Sequence, residues 1–362
     1  MKKQIKLFDP KIGIEEKRSI REILDSRFWA SGAGTNSVYK FEQEFKKYVN
    51  SDECVAVNSG TAALNLSLSL SDIKNKEVLV PSLTFVSTIN AIKLNQGKPV
   101  FCEIDPKTGC ISVDDIKKKV SMKTAAILPV HFGGFPCDLK SINSICKNNK
   151  LHLIEDAAHA AGASLDDKMI GSNGEFVCFS FHPVKNLAMP TGGLISINNR
   201  KFKQLKRKLD ARRWCGITNR KGLFYDVKEI GDNYYMNEFS AAIGLNQLKK
   251  IDKMNERRKK IAKKYKNKIN LETKMPFENN CSYHLYWILV KNRSKFIKKM
   301  TNEKIEVGIH YKPAHQMSLY KNQTKLPITE EMGRKIVSLP IHPNLSNDDV
   351  DRIISSVNKF AN

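Results

Sequence analysis

Residues 53–70 read ECVAVNSGTAALNLSLSL. The first five are apolar at every position but one and rich in Val, the composition of a buried strand. Asn58-Ser59-Gly60 breaks the run with turn formers, and Ser59 is a good helix cap. Thr61-Ala62-Ala63-Leu64 then opens a stretch of helix formers. A strand, a short turn and a helix make half of a βαβ unit. The alternation continues to residue 197. It predicts strands over 53–57, 77–80, 99–104, 125–130, 151–155, 177–181 and 193–197, with helices over 62–70, 86–94, 113–119 and 139–148. The expected fold is therefore α/β, a mostly parallel sheet sandwiched by helices. Ligands of such sheets gather at the carboxyl ends of the strands.

Beyond residue 200 the reading changes to long helical stretches up to about 268. A smaller α+β segment follows, with a strand at 286–290 and a last helix over 348–360. We expect a large domain over 1–250 and a small C-terminal domain over 251–362, with the first twenty or so residues packing on the small one.

The 362 residues carry 61 Lys and Arg against 37 Asp and Glu, a formal charge of +24. Such an excess suits either a nucleic-acid surface or a solvated surface that attracts small anions. The densest stretch, 249–268, sets Ile251, Met254, Ile261 and Tyr265 at helical spacing, so it reads as an amphipathic helix with a basic outer face. Nucleic acid is accordingly not the expected partner. The eight Cys form no C-x-x-C pair, and Cys102 and Cys178 sit in apolar runs. They read as reduced thiols of a cytoplasmic protein, with no metal site. No apolar run reaches the roughly 18 residues that span a bilayer, and the basic start lacks the apolar region of a secretory signal.

Three segments bear chemistry. Asn58 to Ala63 places free N–H groups and hydroxyls at a helix start, which suits a phosphate, although Ser59 or Thr61 could simply cap the helix. Ile154-Glu155-Asp156-Ala157-Ala158-His159 ends a strand. An aspartate there can hold a pyridine nitrogen in its protonated form, and His159 can bond a ring oxygen or merely pack. Phe179-Ser180-Phe181-His182-Pro183-Val184-Lys185 follows a strand with a lysine held by a Pro turn, whose amine becomes nucleophilic if withdrawn from water. Phosphate cradle, acid and lysine, in that order, are what pyridoxal 5′-phosphate requires.

The segments NSGTAAL, PSLTFVSTINA, PVHFGG, IEDAAHAAG, FSFHPVKN and GDNYYMNEFSAAIG occur in the order found in the DegT/DnrJ/EryC1/StrS aminotransferases, and the chain resembles that family from about residue 8 to its end. The resemblance implies the fold of the type I pyridoxal-phosphate transferases. It implies Lys185 as the Schiff-base lysine, Asp156 opposite the pyridine nitrogen, and His159 at the ring hydroxyl. Phe85 stacks on the ring. Gly60, Thr61 and Ala62 hold the phosphate with Ser180, and Asn233 reaches it from the neighbouring subunit of a homodimer. A related dehydratase branch has His where this chain has Lys185, so transamination is expected.

The implied reaction passes the amino group of glutamate or glutamine to a keto-sugar on a nucleotide, for amino-sugars of surface polysaccharides. His310, Tyr311 and His315 are candidate substrate contacts, or packing residues. The chain departs from the family pattern at Thr191, where an acid is common, at Tyr235, where Arg is common, and in a longer loop over 29–34. Those departures leave the choice of sugar open. A keto-polyol phosphate acceptor, a dehydratase, and a basic nucleic-acid-binding protein on the same fold are the rival readings.

Overall fold

The computed structural model describes residues 3–321 and 324–361. Two helices, α1 (Ile14–Ser26) and α2 (Asn36–Val49), precede the central sheet. Its strands are β1 (Glu53–Val57), β2 (Glu77–Pro81), β3 (Lys98–Cys102), β4 (Thr124–Ile127) and β5 (His152–Asp156). A small separate hairpin of β6 (Ser164–Leu165) and β7 (Lys168–Met169) comes next, and β8 (Phe176–Ser180) and β9 (Gly193–Ile197) complete the sheet. Four crossover helices link the early strands: α3 (Gly60–Ser69), α4 (Val86–Leu94), α5 (Val113–Lys119) and α6 (Leu139–Asn149).

The strand order is β1-β9-β8-β5-β4-β2-β3. From β3 to β8 every neighbouring pair is parallel. β9 alone runs against both its neighbours. The physical reason lies in its connection: no helix separates β8 from β9, and a return without a crossover helix gives an antiparallel pair. That helix-free link carries Lys185.

Period two along β1 sends Cys54 and Ala56 into one core and Val55 and Val57 into the other. Both faces of the sheet are thus covered, which explains why its strands read as unbroken apolar runs. The aromatic centre of one core is a set of edge contacts among Phe41, Phe45, Phe179 and Phe181.

The long helical stretches expected up to about 268 are present as three helices, with one interruption that was not foreseen. Between α7 (Phe202–Arg212) and α8 (Glu238–Leu248) stands a two-stranded hairpin, β10 (Ile217–Lys221) and β11 (Phe224–Val227). Its Leu223, Phe224 and Tyr225 point into solvent. With Lys, Arg and a Gly turn among its apolar residues, the segment has no buried face to give it a period. α9 (Ile251–Lys268) begins just past residue 250 and buries Ile251, Met254, Ile261 and Tyr265, together with Arg258.

The C-terminal part pairs β12 (Tyr286–Leu289) with β13 (Ile336–Leu339), surrounded by α10 (Arg293–Asn302), α11 (Pro327–Lys335) and α12 (Asn347–Phe360). The N-terminal strand segment reaches it, with Ile5 bridged to Ile305. Seven cysteines are buried, Cys215 is exposed, and all are free thiols among the described residues. No helix of the described residues is long and apolar enough to cross a membrane.

Candidate active site

Of the twelve residues assigned from the sequence, all but Ala62, Asn233 and His315 line one cavity of about 370 Å³. It lies over the carboxyl ends of the parallel strands, as the topology requires.

The acid comes from the end of β5. Asp156 is buried; Thr88 Oγ1 donates to its Oδ2 at 2.8 Å and the Ala158 N–H to its Oδ1 at 3.1 Å. Burial raises its pKa above the usual carboxylate range, while Thr88, Ala158 and the charge of Lys185 pull it back. A cation placed against it would relieve that strain. The adjacent Glu155 faces elsewhere. It accepts from Gly174 N–H at 2.6 Å and from His131 Nε2 at 2.9 Å, and so braces the loop after β4.

Lys185 sits in a loop fixed by its neighbour. Asn186 Nδ2 donates to Asn255 Oδ1 at 2.9 Å and to the Ser282 carbonyl at 2.8 Å. Burial lowers the Lys185 pKa to about 8, against a weaker upward pull from Asp156. The amine is thus within reach of its neutral, nucleophilic form near neutrality.

At the opposite corner, the Ser59 hydroxyl caps α3 by accepting the Ala62 N–H at 3.1 Å. The capping reading therefore holds for Ser59, and the Ala62 amide is occupied. Thr61 stays exposed at the helix start. A Cβ on Gly60 would lie 2.7 Å from Ser180 Cβ, so only glycine lets the helix start approach the Ser180 hydroxyl this closely. The pair forms a narrow anion cradle. Phe85 projects its ring into the cavity mouth, its face uncovered.

His159 Nδ1 accepts the Gly133 N–H at 3.2 Å, so the proton of its neutral ring sits on Nε2, 3.2 Å from Tyr311 Oη. Burial holds the ring well below the ordinary histidine pKa and therefore neutral. Tyr311 Oη is then left free to donate into the cavity. His310 is held by Ser338 Oγ at 2.9 Å, and burial pushes it down to about 4. His315 lies outside the cavity: Ser82 Oγ takes its Nδ1 at 2.6 Å and Glu330 its Nε2 at 3.2 Å. It packs rather than facing a ligand. Asn233 is exposed and does not line its own chain's cavity, although its carbonyl accepts from Asn58 Nδ2 at 3.1 Å beside the cavity wall.

Of the departures, Thr191 lines the cavity and donates to the Asn58 carbonyl. The 29–34 loop does not line it. A Cβ on Gly32 would run into the Trp214 ring at 2.1 Å, so this loop is pressed against the end of α7. Sequence reading missed Thr88, which lies one turn along α4 from Phe85 and was visible in spacing alone. It also missed Phe8 and His284, whose rings stack 5.5 Å apart beside His159.

These residues fit a flat ring with a basic nitrogen, an anionic phosphate and an aldehyde, which is pyridoxal phosphate. Asp156 suits the nitrogen, Gly60, Thr61 and Ser180 suit the phosphate, and the Lys185 amine suits the aldehyde. Comparison with known proteins points the same way. The profile of the DegT/DnrJ/EryC1/StrS aminotransferase family matches residues 10–358, and the chain belongs to that family. It is an aminotransferase with the type I pyridoxal-phosphate transferase fold.

Among curated proteins it is 34% identical to GDP-perosamine synthase of Escherichia coli O157:H7, over 99% of both chains. It is also 34% identical to the spore coat polysaccharide biosynthesis protein SpsC of Bacillus subtilis, over 96% of this chain and 95% of that one. Among solved structures it is similar to Helicobacter pylori PseC, an aminotransferase of pseudoaminic acid biosynthesis, with a TM-score of 0.93 and 26% identity over 99% of each chain. DesV of S. venezuelae gives a TM-score of 0.91 and 28% identity over 98% of each chain.

Proposed function

We propose that this protein uses pyridoxal 5′-phosphate to move the amino group of glutamate or glutamine onto a keto-sugar carried on a nucleotide, in the cytoplasmic assembly of amino-sugars for polysaccharides. The observation that carries this reading is the meeting of Lys185, Asp156 and the Gly60–Ser180 cradle around one cavity. Perosamine synthase and PseC, which act on sugars by name, support the choice of a sugar acceptor.

Bound there, the cofactor supplies an electron sink that lets an amino group pass between two carbonyl compounds. The chain's own residues do the rest. Asp156 stays ionised and holds a proton on the ring nitrogen opposite it. Gly60, Thr61 and Ser180 fix the phosphate. Phe85 would cover the ring, and Tyr311, its hydroxyl oriented by His159, would supply a hydrogen bond at the ring's edge. Lys185 would hold the cofactor by its amine and, freed from it, would move a proton from the donor's Cα to the cofactor carbon the amine had occupied, and in the opposite direction when the keto-sugar is aminated. The basic surface favours an acidic nucleotide-linked substrate.

We also propose a homodimer in which Asn233 completes the neighbour's phosphate site. Its exposure, and a group of exposed apolar side chains including Trp29, Tyr39 and Phe224, support a covering subunit.

The test is an absorbance spectrum of the purified protein with pyridoxal phosphate, then with glutamate or glutamine, then with candidate keto-sugars. The reading expects a visible band that the donor removes and the right keto-sugar restores. A protein that never gives the band, or a Lys185→Ala variant that keeps both band and turnover, overturns it.

A further inference from the structure

One loop decides where the protons of two buried histidines stand. Residues 131–137 follow β4 and turn through Gly133 and Gly134, whose φ values of 65° and 90° favour glycine. The turn aims two backbone N–H groups at imidazole nitrogens. Cys137 N–H donates to His131 Nδ1 at 3.1 Å, and Gly133 N–H donates to His159 Nδ1 at 3.2 Å. A ring nitrogen that accepts carries no proton, which leaves the proton of each ring on Nε2. His131 gives that proton to Glu155, Nε2 to Oε2 at 2.9 Å, and His159 gives its own to Tyr311 Oη at 3.2 Å.

The two histidines differ in what they reach. His131 and Glu155 are wholly buried, and neither lines the cavity. They hold the loop to the sheet. The second Glu155 oxygen accepts Gly174 N–H at 2.6 Å, and the His131 N–H donates to the Asp156 carbonyl at 3.1 Å. On its other side the loop is held by the 280–285 segment, where the Gly133 and Gly134 carbonyls accept the N–H groups of Leu285 at 3.2 Å and Ser282 at 3.1 Å. The Gly133 peptide is thus fixed from both sides. Tyr311 lines the cavity, and burial raises its pKa, so its hydroxyl keeps its proton. Because that oxygen accepts from His159, its own hydrogen is free for an acceptor in the cavity. With the His159 proton on Nδ1 the order would reverse: Tyr311 would donate to the ring and offer the cavity only lone pairs.

We propose that Glu155 and His131 are positioning residues: by fixing the 131–137 loop they keep the His159 proton on Nε2 and so make Tyr311 a hydrogen-bond donor to an oxygen bound in the cavity. The place of the proton is independent of the transamination reading. Only the expected effect on turnover rests on it.

The first measurement needs no turnover. In the cofactor-free protein labelled with 15N-histidine, the ring nitrogen resonances distinguish protonated from bare nitrogens, and His159→Asn and His131→Asn identify the two rings by the signals they remove. Both rings are expected to carry the proton on Nε2 alone near neutral pH. A His159 ring protonated on Nδ1, or on both nitrogens, overturns the proposal. In Glu155→Gln, close to the native side chain in shape, the His159 signals should move to a mixture of the two tautomers. A folded Glu155→Gln protein that keeps the single His159 tautomer also overturns it. The second measurement is kcat in a double-mutant cycle. Tyr311→Phe and His131→Gln should each lower kcat about tenfold, and the double variant should lose nothing further, since both changes remove the same donated hydrogen bond. A second tenfold loss in the double variant assigns His131 a general structural role, and a Tyr311→Phe enzyme with wild-type kcat has no use for the donor; either result sinks the proposal. A wild type that accepts amino groups from no donor instead overturns the transamination reading, while the tautomer measurement still decides the place of the proton.

Discussion

Lys185 is partly withdrawn from water, at the wall of the cavity, without being given a carboxylate at contact distance. A lysine on the surface would stay protonated to about pH 10.4; burial brings this one down to about 8. Only the neutral amine is a nucleophile, so reactivity must rise with pH through that lower value. In the cofactor-free protein, the rate at which a small acylating reagent modifies Lys185, followed by mass spectrometry, should climb with a midpoint near pH 8. A midpoint above 10 would show that the amine is freely solvated. Gly60 makes the matching demand at the other end of the site. In Gly60→Ala the new Cβ has to displace Ser180, with 2.7 Å available, and the Kd for pyridoxal phosphate should rise about tenfold or more. Unchanged affinity would place the phosphate elsewhere. Residues of this kind were legible because each stands at a strand end in a motif. Arg258 was not: within a run of lysines and arginines it reads as one more solvated charge, and only the packing of α9 reveals that it faces inward.

At the scale of elements, the sheet and the site depend on one buried junction. Glu42 on α2 accepts from Arg213 at the end of α7 and from the Ala56 N–H of β1 at 2.8 Å, while Arg213 also donates to the Ala56 carbonyl at 2.9 Å. Both side chains are about 1% exposed. Removing one partner leaves the other charged and buried, so Glu42→Ala should lose about 3–5 kcal/mol of stability, measured by denaturant unfolding. A loss below about 1 kcal/mol would mean that water or Asp210 takes over the arginine. The junction was invisible in the sequence, because Glu42 and Arg213 are far apart in the chain and each looks like a surface charge. The strands themselves were readable to within a residue or two, since burial on both faces writes continuous apolar runs. β4 was the least well bounded. Its observed span, Thr124–Ile127, ends three residues short of the expected strand over 125–130, because Pro129 ends the regular ladder while the chain stays buried. The β10–β11 hairpin was missed for the opposite reason: only Ile217 and Thr218 at its base are half-buried, and the rest of both strands is exposed.

At the scale of the molecule, that exposed hairpin and the exposed Asn233 raise the same question. A cavity whose wall one chain supplies almost completely leaves Asn233 exposed just outside it, its carbonyl accepting from Asn58 Nδ2 at 3.1 Å. Either Asn233 serves its own chain's cavity, or it serves a neighbour's. Hybrid dimers separate the two. Lys185→Ala removes the amine from one site, and Asn233→Ala removes the phosphate contact. If Asn233 acts across the interface, a mixed dimer holds one site with both residues intact, built from the Lys185 of one chain and the Asn233 of the other. Co-unfolding and refolding equal amounts of the two variants should then restore roughly a quarter of wild-type activity, since half of the random dimers are mixed and each has one sound site. If Asn233 acts within its own chain, every site in the mixture lacks one residue or the other, and activity stays at the average of the two variants. Size-exclusion chromatography of the refolded mixture must show dimers for the comparison to be meaningful, and a strictly monomeric protein with full activity would itself overturn the shared-site reading.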